Sequence, residues 1–318
     1  MPSLKADPDQ IKICADQLEN GSLIAFPTET VYGLGGDATN SRAIAAIYAA
    51  KKRPEFNPLI CHVADLEAAM EIGDFDTTAL QLARVFWPGP LTLVVPRHKN
   101  CNVAPLASAG LDTIAIRVPA HPVAQDLLRS FGKPIAAPSA NISGQLSPTN
   151  CQHVLKSFPD LLVLDAGATQ VGLESTIIGC LDASAIWLRA GGLSRQNIEH
   201  VISVSLIEIA ADADSEQRLA PGRLARHYAP KARLELNCKN IPPENLLLAF
   251  GDMNFTHPLA QLNLSPSGNL EEAAANLFSA LHKLDALAQD GQTISVMPIP
   301  NSGLGEAIND RLIRAANS

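Results

Sequence analysis

Apolar positions along the chain recur at two different periods, and the changes between them mark out the elements. Ile11, Cys14, Ala15 and Leu18 fall at helical spacing. Asp7-Pro8 ahead of them offers a capping carboxylate and a proline at the first helical position, and Gly21 follows as a stop. A short apolar run over residues 23–26 reads as a strand. Next come a helix over 41–50, a strand over 59–63 and helices over 66–72 and 78–86. Pro88-Gly89-Pro90 is a hard turn before a β-rich run at 91–95. A strand over 113–118 precedes a helix that starts at His121-Pro122 and stops at Gly132. After a strand segment over 135–137, Ser147-Pro148 repeats the cap-then-proline form and predicts a helix through Leu155. Strands over 161–164, 175–179 and 186–188 complete this part of the chain.

Strands and helices mix without strict alternation, which predicts an α/β fold on a twisted mixed sheet. Residues 203–230 change character: 211–216 are small and acidic, and Pro221-Gly222 is a turn, as in an interdomain linker. Beyond it, strands over 234–236, 246–250 and 294–297 and helices over 271–288 and 306–316 predict a smaller C-terminal α/β, Rossmann-like domain. The expected organisation is a catalytic domain over 1–202, a linker and active-site lid over 203–230, and a small domain over 231–318.

Composition narrows the classes. Hydrophobic residues make up 47% of the 318 and charged residues 18%, ample for a core and unlike a disordered chain. The net charge of −8 argues against extended nucleic-acid binding, which needs a basic face. None of the six cysteines sits in a C-x-x-C pair, which suggests no zinc knuckle or thioredoxin-type site and fits a reducing cytosol. The start carries no signal-peptide pattern, and no stretch approaches the ~20 apolar residues of a membrane helix, so a soluble cytoplasmic protein is expected.

Three segments carry candidate chemistry. In residues 27–37, Pro-Thr-Glu-Thr followed by Val-Tyr-Gly-Leu-Gly-Gly-Asp, the spacing Gly33-x-Gly35-x-x-Ala38 superficially fits the dinucleotide fingerprint. The polar insertion ahead of the glycines argues against it and for a glycine turn flanked by hydroxyls and a carboxylate. Lys51, Lys52 and Arg53 stand at the end of a helix, either as ordinary charges complementing its dipole or as a triphosphate clamp. Arg117 and Arg189, at predicted strand ends, could join such a clamp or be ordinary surface arginines. The run Pro138-Ser139-Ala140-Asn141-Ile142-Ser143-Gly144 leads from a strand toward a predicted helix start, a place that favours an anion or is simply a capped loop. It is no nucleophile elbow, and no histidine pair has zinc spacing. His62, ending a strand, reads as structural or catalytic.

Taken in order, Pro27-Thr28-Glu29-Thr30-Val31-Tyr32-Gly33-Leu34, Lys51-x-Arg53-Pro54, Asn57-Pro58-Leu59-Ile60, Trp87-Pro88-Gly89-Pro90-Leu91-Thr92, Arg117-Val118-Pro119, Ala137-Pro138-Ser139-Ala140-Asn141 and Glu174-Ser175-Thr176-Ile177 resemble the YrdC-domain family over residues 8–202. Residues 220–230, ending His227-Tyr228-Ala229-Pro230, and residues 303–311 look like the linker and second domain of its long members, the two-domain threonylcarbamoyl-AMP synthases. Arg223-Leu224-Ala225 departs from the methionine and bulkier residue expected there. The resemblance implies a concave pocket in which Thr30, His62, Arg117, Ala137 and Ser175 hold L-threonine. It implies that Lys51, Arg53, Asn57, Thr113, Ser139, Asn141, Ser147, Arg189, His227 and Tyr228 hold ATP, with Mg²⁺ carried by the phosphates. Lys51 and Arg53 would be catalytic, and no general base is identified. The implied reaction joins threonine, bicarbonate and ATP into an adenylate, which passes to the tRNA threonylcarbamoyl transferase machinery.

Two other readings compete for the whole chain. Carbamoyl transfer in hydrogenase maturation uses the same domain, but with acylphosphatase-like and zinc-finger segments that this sequence does not show. A non-catalytic module for double-stranded RNA would sit poorly with the acidic total. For the second domain alone, a regulatory small-molecule binder is a further reading.

Overall fold

In the computed structural model, residues 3–181, 184–208, 228–253 and 259–317 are described. The expected lid residue His227 and the departing segment 223–225 lie outside them.

The strands of the larger sheet are β1 (Ser3–Lys5), β2 (Ile24–Pro27), β3 (Tyr32–Asp37), β4 (Ile60–His62), β5 (Leu91–Pro96), β6 (Thr113–Arg117), β7 (Ile135–Ala136), β8 (Leu162–Asp165), β9 (Thr176–Leu181), β10 (Ser184–Arg189) and β11 (Ile207–Glu208). They lie in the order β1-β8-β2-β3-β7-β4-β6-β5-β9-β10-β11. The sheet contains both parallel pairs such as β4–β6 and antiparallel pairs such as β5–β6, so it is mixed as expected.

The helices around it are α1 (Pro8–Glu19), α2 (Ser41–Lys51), α3 (Leu66–Ile72), α4 (Thr77–Phe86), α5 (Pro122–Phe131), α6 (Cys151–Ser157) and α7 (Arg195–Ile202). α1 forms as its pattern predicts: the Asp7 carboxylate accepts from the Gln10 N–H at 2.9 Å, and Ile11, Cys14, Ala15 and Leu18 are buried. Such a cap contributes about 1 kcal/mol.

Two expectations are corrected. The glycines at 33, 35 and 36 are not a turn; they lie inside β3, and none of them has a positive φ. Their requirement is space. A Cβ on Gly35 would meet the Phe26 ring at 2.8 Å, and one on Gly36 would meet Leu23 at 2.9 Å. Ser147-Pro148 does not start a helix either. That stretch is held against β3, where the Tyr32 N–H donates to the Pro148 carbonyl at 2.9 Å. Asn150 caps α6 instead, accepting from the His153 N–H at 3.0 Å.

The second sheet holds β12 (Arg233–Glu235), β13 (Leu246–Ala249), β14 (Gln261–Asn263) and β15 (Thr293–Val296) in the order β12-β15-β13-β14, every pair parallel. It packs with α8 (Leu270–Leu287) and α9 (Leu304–Ala316). One apolar cluster joins this layer to the first. Val31, Leu146, Leu173 and Tyr228 share it with Leu277, Phe278 and Leu281 of α8. Gly172 marks how closely they meet: at φ 71° it has no Cβ where one would lie 2.4 Å from the Ala274 carbonyl oxygen.

Candidate active site

Strand ends and the loops after them gather around one cleft of about 570 Å³, counting its mouth. Parallel pairing of β4 and β6 sets His62 beside Arg117 at their C-terminal ends. Arg189 ends β10, next to a register shift after Trp187. The loop after β7 brings Ala137 and Ser139 in, with Ser139 bridged to Gly33.

Two hydrogen-bonded groups build the walls. In the first, Arg117 donates to Glu29 Oε1 at 2.6 Å, Thr30 Oγ1 at 2.9 Å and the Gly89 carbonyl at 3.2 Å. Glu29 also accepts from the Ala120 N–H at 3.0 Å, and the Thr28 and Thr30 hydroxyls lie 2.7 Å apart. The guanidinium is thus fixed by three of its five N–H groups, leaving two for a carboxylate. His62 lines the cleft beside it, and its buried Nδ1 has no hydrogen-bond partner among the described residues. Burial, then the neighbouring Arg117 charge, pushes its pKa down to about 3, so the imidazole is neutral.

In the second group, Arg189 donates to the Ser175 carbonyl at 2.8 Å and to its hydroxyl at 3.1 Å, and that hydroxyl lies 2.7 Å from Thr92 Oγ1. Next to it, Glu174 accepts from the Ser147 hydroxyl at 2.5 Å and from Arg311 of α9 at 2.9 Å. Burial alone would raise this carboxyl, but Arg311, Arg189 and the Ser147 hydroxyl hold it at about 2. Tyr228 closes one side, its ring 5.5 Å from Phe278 and 5.2 Å from the Arg311 guanidinium carbon.

Of the expected residues, Thr30, Arg53, His62, Arg117, Ala137, Ser139, Ser175, Arg189 and Tyr228 line the cleft. Lys51, Asn57, Asn141 and Ser147 stand behind the lining. The Lys51 ammonium, 1% exposed, donates to the carbonyls of Ser139 and Asn141 and props their loop. Burial holds its pKa well below the usual lysine value. Arg53 donates to Asn57 Oδ1 at 2.6 Å and to the Pro58 carbonyl at 2.8 Å. Arg53 thus lines the cleft and also ties down its own loop. The buried Asn141 Oδ1, like His62 Nδ1, has no hydrogen-bond partner among the described residues. Buried polar atoms are rarely left so unless a ligand or water completes them. Thr113 is not among the lining residues; it starts β6, paired with Pro96, four positions before Arg117.

Glu29 was noted only as the carboxylate beside the glycines, and Thr92, Glu174 and Arg311 were given no role in the site. Arg311 did carry a signal. It interrupts the apolar stripe Ala307, Ile308, Leu312, Ala315 of α9, and an arginine on a buried face needs a partner.

Chemically, the cleft offers Arg53, Arg117 and Arg189 to an anion and several hydroxyls to a polar substrate. The lining carboxylate Glu174, and Glu29 behind Arg117, are already paired with arginines.

Residues 16–191 match the Sua5/YciO/YrdC family model, described as "Telomere recombination". Residues 193–317 match the model "Threonylcarbamoyl-AMP synthase, C-terminal domain". A threonylcarbamoyl-AMP synthase of Bacillus subtilis is 37% identical, over 98% of this chain and 94% of that protein. One from Pyrococcus abyssi is 38% identical, over 96% and 94%. The crystal structure of P. abyssi Sua5 complexed with L-threonine superposes with a TM-score of 0.88 at 35% identity, covering 99% of this chain and 96% of that one. With both domains matched along nearly their whole length, the chain belongs to the threonylcarbamoyl-AMP synthase family in its two-domain form.

Proposed function

We propose that this protein is a nucleotidyltransferase that forms threonylcarbamoyl-adenylate and pyrophosphate from L-threonine, bicarbonate and MgATP. The observation that carries the reading is one cleft in which a prefixed arginine with free N–H groups (Arg117) and buried hydroxyls adjoin two further arginines, Arg53 and Arg189. Threonine's carboxylate pairs with Arg117, and its hydroxyl meets the polar set around Thr30 and Ser175. The amine combines with bicarbonate, releasing water and leaving a carbamate. A carbamate oxygen attacks the α-phosphorus, and the bond to pyrophosphate breaks. Arg53 and Arg189 stabilise charge growing on the phosphate oxygens, and the cleft holds the reactants in line. Neutral His62 offers a hydrogen bond without adding charge. No side chain need form a covalent intermediate.

Magnesium enters with ATP. Among the described residues no three His, Cys, Asp or Glu side chains gather, and Glu29 and Glu174 are both paired with arginines. That donor set fits an ion held by phosphate oxygens and water. Tyr228, buried in the cleft wall, supports reading residues 203–230 as a closing segment that keeps water from a labile product. In this reading residues 1–202 carry the chemistry and 231–318 position the closing segment. No helix among the described residues is long and apolar enough to cross a membrane; we place the reaction in the cytoplasm, with the product passing to the tRNA-modifying transferase. The test is pyrophosphate release, which should require threonine, bicarbonate and MgATP together; release that ignores threonine would contradict the proposal.

A further inference from the structure

Arg311 is the largest fully buried side chain in the described protein, with 0% exposure. It belongs to α9, on the C-terminal layer, yet its guanidinium serves the wall of the cleft. Nε donates to Glu174 Oε2 at 2.9 Å, Nη2 donates to the Ala190 carbonyl at 2.8 Å, and Nη1 donates to Asp310 at 2.7 Å. Its guanidinium carbon lies 5.2 Å from the centre of the Tyr228 ring. Each contact in the first layer adjoins the second bonded group of the cleft. Glu174 and Tyr228 line it, Ala190 follows the lining residue Arg189, and Glu174's other oxygen holds Ser147. None of these contacts reaches Thr30, Arg117 or Ser175, the residues proposed for threonine. Burial works against the Arg311 charge, but Tyr228, Glu174 and Asp310 outweigh it and raise its pKa.

We propose that Arg311 is a positioning residue through which the C-terminal domain shapes the nucleotide side of the cleft, holding the Glu174 carboxylate and the Tyr228 ring. It touches no substrate. Its fork geometry sets where Ser147, Glu174, Arg189 and Tyr228 stand, and lysine's point charge could not meet all its partners at once. Tyr228, at φ 67°, is in a left-handed conformation uncommon for a bulky residue, so its place depends on what packs around it. The inference rests on the proposed adenylate-forming reaction for its choice of ligand.

The test compares wild type, Arg311→Ala and Arg311→Lys by separate equilibrium binding of MgATP and of L-threonine, thermal unfolding, and pyrophosphate-release kinetics. Arg311→Lys keeps a charge opposite Glu174, so it decides the matter if Arg311→Ala does not fold. Well below their unfolding temperatures, the folded variants should bind MgATP about tenfold or more weakly, with a matching rise in KM for ATP, and threonine within about twofold of wild type. A merely structural arginine would lower the unfolding temperature and leave both affinities alone. That result in folded Arg311→Lys, or equal weakening of both ligands, would overturn the proposal. If wild type binds both ligands but releases no pyrophosphate, the reaction is wrong, and the binding arms still judge Arg311.

Discussion

The rings of His153 and His282 stack 3.8 Å apart, 23° from parallel, one from α6 and the other from α8. They join the two layers beside the cleft, for His282 Nε2 lies 3.2 Å from the carbonyl of Ser147. Both are kept neutral. Burial, then the partner imidazole, Lys156 and Lys283, lower His153 to about 3; burial, with a smaller push from Lys156, lowers His282 to about 4.

A pH dependence of stability follows. In the unfolded chain both imidazoles titrate near about 6.5. Below that pH the unfolded chain takes up protons that the folded pair refuses, so stability is full above it and falls as pH drops toward 4. The pair should contribute a loss of about 2 kcal/mol or more between about pH 6.5 and 4.5. Buried His62 acts in the same direction, so the informative comparison is His282→Gln. Unfolding temperatures measured across this range should fall less steeply in the variant. An unchanged slope would show that the stack does not govern the junction.

Arg53 should matter twice. Arg53→Ala removes a cation from the cleft and leaves Asn57 Oδ1 and the Pro58 carbonyl without their donor. We expect a loss of about 2 kcal/mol or more of transition-state stabilisation in kcat/KM. A separate stability loss of about 1–3 kcal/mol should appear in chemical denaturation. Turnover close to wild type would remove Arg53 from the phosphate site.

Side-chain selectivity should follow the hydroxyls. Valine in place of threonine leaves buried polar groups unpaired and should be rejected on the order of 10⁴-fold, whereas serine, lacking a methyl, should lose only about 1–3 kcal/mol. Competition kinetics that rank valine above serine would mean that the Thr28, Thr30, Thr92 and Ser175 hydroxyls do not face the substrate side chain.

Tyr228 is both packing and wall. Tyr228→Ala should cost about 3–5 kcal/mol of stability by opening a void beside Phe278, and should depress adenylate formation. Tyr228→Phe keeps the ring and should retain most of the stability. If Tyr228→Ala unfolds like wild type, the ring is not seated as the structure places it.

The sequence was most legible where a side chain acts through its neighbours along the chain. The Asp7 cap, the stripe of α1 and the Gly132 stop follow from local spacing. Gly33, Gly35 and Gly36 misled because their reason lies across the sheet, in Phe26 and Leu23. Ser147-Pro148 misled because the Ser147 hydroxyl was spent on Glu174, far along the chain, leaving the cap to Asn150. Most residues named for the site do line it or stand behind it, and they could be named because their motifs resemble a known family. Spacing alone left Lys51, Arg53 and Arg117 as ambiguous charges. Arg311 was hidden for the opposite reason: its partners come from another layer, and only its place on an apolar stripe hinted at them.

The central claim is that one cleft joins the three substrates into a single adenylate. It is tested most directly by incubating the protein with MgATP, L-threonine and carbon-13 bicarbonate and identifying the products by mass spectrometry at early times. The account predicts pyrophosphate together with an adenylate containing threonine and one carbon-13 atom, formed in equal amounts, and absent when threonine is omitted. An adenylate without the labelled carbon, or ATP cleaved to ADP and phosphate instead, would contradict it.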